Sequence, residues 1–429
     1  MKSLRVFLGV CLILAVAAAA FASGQKEAAA PAKVTIWYET NLDTAIKRLN
    51  PMFEDQSPDI DVEWVKQDAS QLSPKLIAAL AGGVGPDLVI ASQKRLSPAE
   101  MQLEAWSDIS QYMSSDSGLA SAVDALPDSH VKGYTRDGKV WGLPFFVRHV
   151  GLFLRESWME EVGGSIPEDW QEMTDLAKKL TTEERFGYGI FGAAGTTSTA
   201  GFQFMYSAPA AGIEYPILDA SGKPNFDSDR AKRVAEWFYR WQHVDKITAP
   251  ATPSWTHKEF YAAVQAGQVA MGRVGGWNVN SWENSDHPGK DFVVFEYPPM
   301  EKGQADPNYQ YTWNDGISMQ GEPKNPQATV TFLKFLLSKD AQGVFVEELT
   351  SWAREDLEFE RYLGDNPRLL YFARQHPFAP DMAYHQNFLP VMEILSKHLN
   401  ALLADSSKDP EQTMEDAYEE SMKKYREIN

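Results

Sequence analysis

Thiols are almost absent from this chain. Of its 429 residues only Cys11 is a cysteine, and it lies in an apolar run near the start, so disulfide staples and thiolate metal sites have nothing to build on. Histidine is sparse too: the eight His are dispersed, with no H-E-x-x-H pair to hold zinc and no G-x-S-x-G elbow to present a serine nucleophile. Neither a metal nor an organic cofactor is expected. Positive charge is in deficit, 40 Lys and Arg against 59 Asp and Glu, for a formal net charge of −19. With no compact basic run, such a surface repels nucleic-acid phosphates and anionic lipid, and no nucleic-acid partner is expected. The acidic pairs Asp59-Ile-Asp61 and Asp227-Ser-Asp229 do not continue into an EF-hand loop and read as turn and cap residues. No internal repeat appears.

What is present begins with a leader. Lys2 and Arg5 precede an apolar run from Val6 to Ala20, and Ala20-Phe21-Ala22 has the small-x-small pattern of a signal peptidase site. The run is shorter than the ~20 apolar residues a spanning helix needs. Residues 1–22 are therefore expected to be a signal peptide cut after Ala22, which places the protein in the periplasm or outside the cell. Losing Lys2 and Arg5 takes the formal charge to −21 and removes the one thiol. Cys11 sits inside the run behind Val10 rather than a small residue, so a lipid anchor is not expected. Residues 23–32, rich in Ala, read as a flexible tether.

Beyond the tether, 44% hydrophobic content over this length exceeds what one core usually serves, so two lobes are expected. Val34-Thr-Ile36-Trp37 reads as a strand, the helix through Ile46, Leu49 and Phe53 follows, and Ile60-Asp-Val62-Glu-Trp64-Val65 alternates as a second strand. Ser73-Pro74 starts a helix that Gly82-Gly83 stops, and Pro86-Asp87-Leu88-Val89-Ile90 gives a third strand. Alternating strands and helices predict a mainly parallel sheet flanked by helices. Asp169 caps a helix with Glu172 in the capping-box position and Met173, Leu176, Ala177 and Leu180 on its buried face. Further helices are predicted from about Asp229 to Val244, from Asn325-Pro326, and from Asp409-Pro410. Gly187-Tyr-Gly189-Ile-Phe-Gly192 spells G-x-G-x-x-G, but polar Thr181 to Arg185 precedes it in place of a buried strand, and the dinucleotide reading fails.

Thirteen tryptophans exceed what the fold needs. Trp64, Trp170, Trp237 and Trp241 fall on element faces and read as core. Others stand beside Gly, Asn, Asp or Arg: Trp37-Tyr-Glu39-Thr-Asn41, Trp277-Asn278, Trp313-Asn314-Asp315 and Trp352-Ala-Arg354. Sugars call for this mixture, because their C–H faces stack on aromatic rings while their hydroxyls pair with carboxylates, amides and guanidinium groups. Trp277 and Trp313 read as pocket residues; Trp37 and Trp352 read equally as pocket or core. Glu39 and Asn41 follow the first strand at the end where parallel sheets place ligands, or else cap the next helix.

The most informative stretch is Phe260-Tyr-Ala-Ala-Val-Gln-Ala-Gly267-Gln-Val-Ala-Met271-Gly-Arg-Val-Gly275-Gly276-Trp277: an apolar helix, a glycine stop, a strand from Val269, and a tryptophan on a Gly-Gly turn. It resembles the Phe…Gly-Lys-Val-Ala-Met…Gly-Pro-Trp signature of the extracellular solute-binding proteins that feed sugar-type ABC importers, with Gln268 for Lys and Gly276 for Pro. Gly138-Lys-Val-Trp141-Gly142-Leu-Pro144-Phe145 is similar to that family's Gly-Lys-x-Tyr-Gly-x-Pro element, and Leu76 to Ile90 to its helix, Gly, Pro-Asp and strand. The resemblance runs over about residues 33–429.

The resemblance implies a two-lobe α/β periplasmic binding protein fold of type II with three hinge crossings: 33–145 plus 298–340 as lobe 1, and 146–297 plus 341–429 as lobe 2. It implies a non-enzymatic monomer that captures a carbohydrate or related small molecule in the interlobe cleft and delivers it to ABC permease membrane subunits. The expected ligand set is Trp37, Glu39, Asn41, Gln93, Arg148, Trp277, Trp313, Asn314, Asp315, Trp352 and Arg354. Arg148 falls near a family contact position, or else forms an ion pair across the hinge; if it binds, acidic sugars and polyol phosphates become candidate ligands. The alternative is a secreted carbohydrate-active hydrolase or lyase, since a glycosidase's two carboxylates need no short motif.

Overall fold

A computed structural model describes residues 30–39, 41–68, 71–92, 96, 106–195, 199–283, 290–304, 313–375 and 385–429, with the side chains of 313 and 314 excluded. The expected leader, most of the tether, and Gln93 lie outside the described residues. Eleven strands are described: β1 Ala32–Tyr38, β2 Ile60–Lys66, β3 Leu88–Ser92, β4 Thr135–Arg136, β5 Lys139–Val140, β6 Leu143–Arg148, β7 Val150–Arg155, β8 Phe186–Gly189, β9 Val269–Gly275, β10 Phe292–Phe295 and β11 Trp313–Met319.

These strands form two main sheets, one per lobe, in the orders β2-β1-β3-β11-β6 and β10-β7-β9-β8, with β4 and β5 as a small separate hairpin. Every second residue of β1 is buried, so Val34, Ile36 and Tyr38 face the core. The helices Asp43–Gln56 and Pro326–Leu336 bring Phe53 against Phe332 at 4.7 Å edge to face. Asp87, only 1% exposed, is satisfied by backbone: its carboxylate accepts from Thr35 N at 2.8 Å and Lys324 N at 2.9 Å. The Pro-Asp step thereby ties the start of β3 to β1 and to the chain beyond β11.

The sheets are mixed rather than mainly parallel. β1 runs parallel to β2 and β3, but β11 is antiparallel to β3 and β6. In the second sheet only β8 and β9 are parallel. The cause is the hinge traffic. β6 runs into β7 across His149 and β10 returns toward β11, so each crossing strand enters its new lobe from the hinge end, opposite to the strands that end there. Antiparallel pairing follows wherever a crossing strand sits beside a βα strand.

The crossings sit later than the sequence predicts. β6 stays paired with β11 as far as Arg148, against the expected hinge at Phe145. The helix Lys339–Leu349 buries Ala341, Val344 and Phe345 in the first lobe's core, so the third crossing follows it, where Thr350 takes a left-handed conformation (φ 47) and Trp352 enters the second lobe's core.

Local signals are otherwise followed closely. Asp169 accepts from Glu172 N as cap of the helix Trp170–Leu180, while the Glu172 carboxylate reaches the N–H of Glu168, one residue before the expected partner. The helix Leu72–Ala81 begins before Ser73-Pro74 and takes no side-chain cap. The helix Asp229–Tyr239 ends in a π-helical turn, Arg240–Val244, that keeps Trp241 buried. Gly267 ends the helix His257–Gln265 in a left-handed conformation (φ 71), with the N–H of Gln268 closing on Ala263 O.

Candidate functional site

Strand directions place the site. β1, β3, β8 and β9 all end facing the space between the sheets, so the loops that follow them converge there. A cavity of about 390 Å³ opens in this space. Asn41, Phe146 and Arg148 line it from the first lobe, Trp277 and Asn280 from the second, and Glu348 from the end of the helix Lys339–Leu349, just before the third crossing.

Trp277 is held there by its two glycines. β9 ends at Gly275 and a helix, Gly276–Glu283, starts at the next residue, so strand passes into helix with no turn between them. A Cβ on Gly275 would overlap the Trp277 indole, and one on Gly276 would come within 3.0 Å of Thr350 O. The ring therefore lies flat on the bare backbone of residue 275. Asn278 fixes the start of the helix by accepting from Gly275 N at 3.2 Å. Asn280, one turn on from Trp277, donates to Glu347 O at 2.7 Å and ties this helix to Lys339–Leu349.

Arg148 comes from the end of β6. Its guanidinium donates to Asp315 at 2.5 Å, and its carbon lies 5.2 Å from the Phe146 ring and 5.6 Å from the Trp277 ring. The register explains the pair: residue 313 lies opposite 148 and residue 315 opposite 146, so Arg148 and Asp315 are diagonal neighbours on one face. Asp315 is 1% exposed and lies behind Arg148, which it holds at the cavity.

Of the eleven expected residues, then, the structure brings Asn41, Arg148 and Trp277 onto one cavity, with Asp315 behind Arg148. Asn41 accepts from Lys66 Nζ at 3.0 Å and does not cap the following helix, whose cap position is Leu42. Glu39 accepts from Ser92 N at 2.8 Å, which binds the end of β1 to the end of β3. Trp37 packs against the satellite core of Leu72, Leu76 and Val89. Gln93 and the side chains of Trp313 and Asn314 lie outside the described residues.

Trp352 and Arg354 stand apart from the cavity. The Trp352 indole is fully buried, stacked 5.5 Å from His149 and tilted against Phe359 at 4.6 Å. Arg354 gives a two-pronged contact to Asp356, at 2.7 and 2.8 Å, and a third bond to Leu337 O. Those bonds occupy its fork. The hydrogen bond from Arg354, helped by Lys339, holds the Asp356 carboxyl down to about 2. A carboxyl lowered in the fold adds stability above its unfolded value near ~3.9 that is lost as pH falls toward about 2. With Asp356 42% exposed, screening limits this to about 1 kcal/mol. Asp356→Asn should therefore flatten the pH dependence of the urea midpoint between about pH 4 and 2; an unchanged slope would remove the pair from the acid response.

Sequence reasoning passed over Asn280, Glu348, Tyr206 and Arg273. For Asn280 the signal was its helical spacing from Trp277. For Arg273 it was a charged residue inside the otherwise apolar run of β9, where the guanidinium lies 4.0 Å from the Tyr206 ring and 5.8 Å from that of Trp277.

A profile of the family described as bacterial extracellular solute-binding protein matches residues 51–351. The mannitol-binding protein of Pseudomonas aeruginosa is 23% identical over 289 residues, covering 65% of this chain and 63% of that protein. The multiple sugar-binding protein of Streptococcus mutans is 25% identical over 169 residues, 38% of each. These curated relatives are thus matched over less than two thirds of their own length. A solved ABC transporter solute-binding protein from Thermotoga lettingae, bound with alpha-D-tagatose, superposes with a TM-score of 0.76 at 20% identity, covering 91% of this chain and 99% of that one. At that identity the likeness establishes the fold, two lobes about a hinge.

Proposed function

The chain belongs to the bacterial extracellular solute-binding protein family, and from that premise we propose that it is the substrate-binding component of an ABC importer for a sugar or sugar-like polyol. The observation that carries this reading is the cavity itself: an aromatic wall from one lobe, Trp277, faces hydrogen-bonding groups from the other, Asn41 and Arg148. A ring stacks on a sugar's C–H face while amide and guanidinium donors read its hydroxyls. The relatives named as mannitol-binding and multiple sugar-binding proteins, and the similar structure bound with alpha-D-tagatose, agree with this ligand chemistry.

The mechanism needs no bond chemistry. A solute touching both lobes favours the closed arrangement by the difference in its affinity for the two states, and a membrane permease reads the closed surface. Two of the crossings lie in the described residues, at His149 and at Thr350, and these are where closure would bend the chain. Residues 1–22 are read as a leader cut after Ala22, which releases a monomer outside the cytoplasmic membrane; no described helix is long and apolar enough to cross a membrane.

A thermal-shift panel of mono- and oligosaccharides and polyols tests the reading, because a ligand at 100 times its Kd stabilises by about 2.7 kcal/mol. Silence across the panel, or cleavage of a sugar that binds, would overturn it. For a sugar that binds, Trp277→Ala should raise Kd by a factor reflecting at least ~1 kcal/mol of lost stacking and area, with no loss of fold by circular dichroism. An unchanged Kd in calorimetry would take Trp277 out of the site.

A further inference from the structure

Arg273 is 5% exposed and carries a permanent charge, yet no carboxylate pairs with it among the described residues, whereas Arg155 pairs with Asp291 and Arg354 with Asp356. A buried cation without a partner acid is costly. Arg273 is not one of the residues lining the cavity, which meets the second lobe at Trp277, Asn280 and Ser281. Its neighbours are aromatic, and one of them is the ring that walls the cavity.

Strand geometry puts the two side chains together. Residues 273 and 275 project from the same face of β9, and the Trp277 indole lies where a Cβ of residue 275 would be. The ring therefore fills the slot next to Arg273, in place of the side chain that Gly275 lacks. The guanidinium reaches this ring at 5.8 Å. It also lies 4.0 Å from the ring of Tyr206, in the helix Ala200–Ser207, and 5.4 Å from that of Phe191, just beyond β8. One cation thus links Trp277 to two other elements of the second lobe. Arg148 approaches the same indole at 5.6 Å but belongs to the first lobe, so its distance from the ring changes as the lobes move, whereas Arg273 travels with the ring. Cation–π attraction offsets part of the guanidinium's desolvation and favours a ring that keeps its face toward the cation.

Resting on the sugar-binding reading above, we infer that Arg273 is a positioning residue: from within the second lobe it sets where the Trp277 indole lies, so that affinity for a sugar depends on a side chain that lines no part of the cavity. Stacking on a sugar requires the ring at a defined height and tilt. The bare backbone at Gly275 gives the indole room, and the cation beside it supplies an attraction that depends on where the ring face points. A neutral side chain of similar length, such as methionine, would fill much of the same volume and leave the indole without that directed contact.

The test is a double-mutant cycle read by calorimetric titration of the purified chain with mannitol, tagatose and maltose. Circular dichroism first shows which of Arg273→Met and Arg273→Gln folds, and that variant is combined with Trp277→Ala. With Trp277 present, losing the arginine should weaken binding at least about threefold, the scale of a partly desolvated cation–π contact. With Trp277 already removed, the same change should alter Kd by less than about twofold, because the residue through which it acts is gone. Arg273→Lys should recover part of the affinity, since an ammonium also attracts a ring face but lacks the planar fork. A readout free of ligand runs beside the cycle: in NMR of isotope-labelled protein, the indole N–H signal of Trp277, identified by its loss in Trp277→Ala, should shift or broaden when Arg273 is replaced. An equal loss of affinity in both backgrounds would overturn the inference and leave the sugar-binding reading standing, as would an indole signal that stays in place. Binding by none of the probes, with the indole signal displaced, would count against the sugar-binding reading and support the positioning role.

Discussion

Trp352→Ala is expected to cost about 3–5 kcal/mol of stability, the range for truncating a large aromatic in a close-packed core, while leaving ligand affinity nearly unchanged. The indole is fully buried, and its neighbours explain why the loss falls on the hinge. Trp352 O accepts from Val147 N at 2.7 Å, so its backbone bridges to the end of β6. Its ring stacks on His149, where the chain first crosses, and packs at a tilt against Phe359 in the second lobe. One side chain therefore packs two crossings together, and a cavity there has rigid strand backbone on one side and cannot collapse fully. Urea unfolding followed by circular dichroism, with calorimetric titration of the same variant, separates the outcomes. A variant that binds poorly yet unfolds at the wild-type midpoint would return Trp352 to the ligand site.

The local order of the fold is legible in the residues because each signal acts within a few positions. Asp169 caps its helix, Gly267 closes another, and the alternation of Val34, Ile36 and Tyr38 marks a half-buried strand. Where the reading departs, the deciding contact is distant in sequence. Whether β11 pairs parallel or antiparallel depends on the direction from which the chain re-enters the lobe, and no periodicity records that. The fate of an Arg or Trp beside polar residues depends on what the third crossing packs against: Trp277 lands on the cavity because Gly275 lets its ring lie on the backbone, whereas Trp352 lands in the core. Arg273 is a different case, since a lone charge in an apolar strand is visible in the sequence. Its setting is not, because only the packed structure shows that Arg155 and Arg354 have acids, whereas no carboxylate pairs with Arg273 among the described residues.

Asp315→Ala is expected to destabilise the protein by about 2–3 kcal/mol. Removing one partner of a fully buried pair costs about 3–5 kcal/mol, because the other charge is left without water or counter-ion. Here the Asp315 side chain is 2% exposed but Arg148 retains 22% exposure toward the cavity, so partial rehydration of the guanidinium reduces the penalty. Affinity should fall as well, since the diagonal contact with Asp315 fixes where Arg148 points, and a guanidinium freed from it must be reordered each time a ligand binds. Asp315→Asn keeps the shape and one acceptor, so it should recover most of the ligand geometry while recovering less of the stability. The two substitutions together distinguish an acid that balances charge from one that only fills space. A stability loss below about 0.5 kcal/mol in both, measured by urea unfolding at pH 7, would mean that Arg148 finds another partner in the cleft and that the pair does not organise the site.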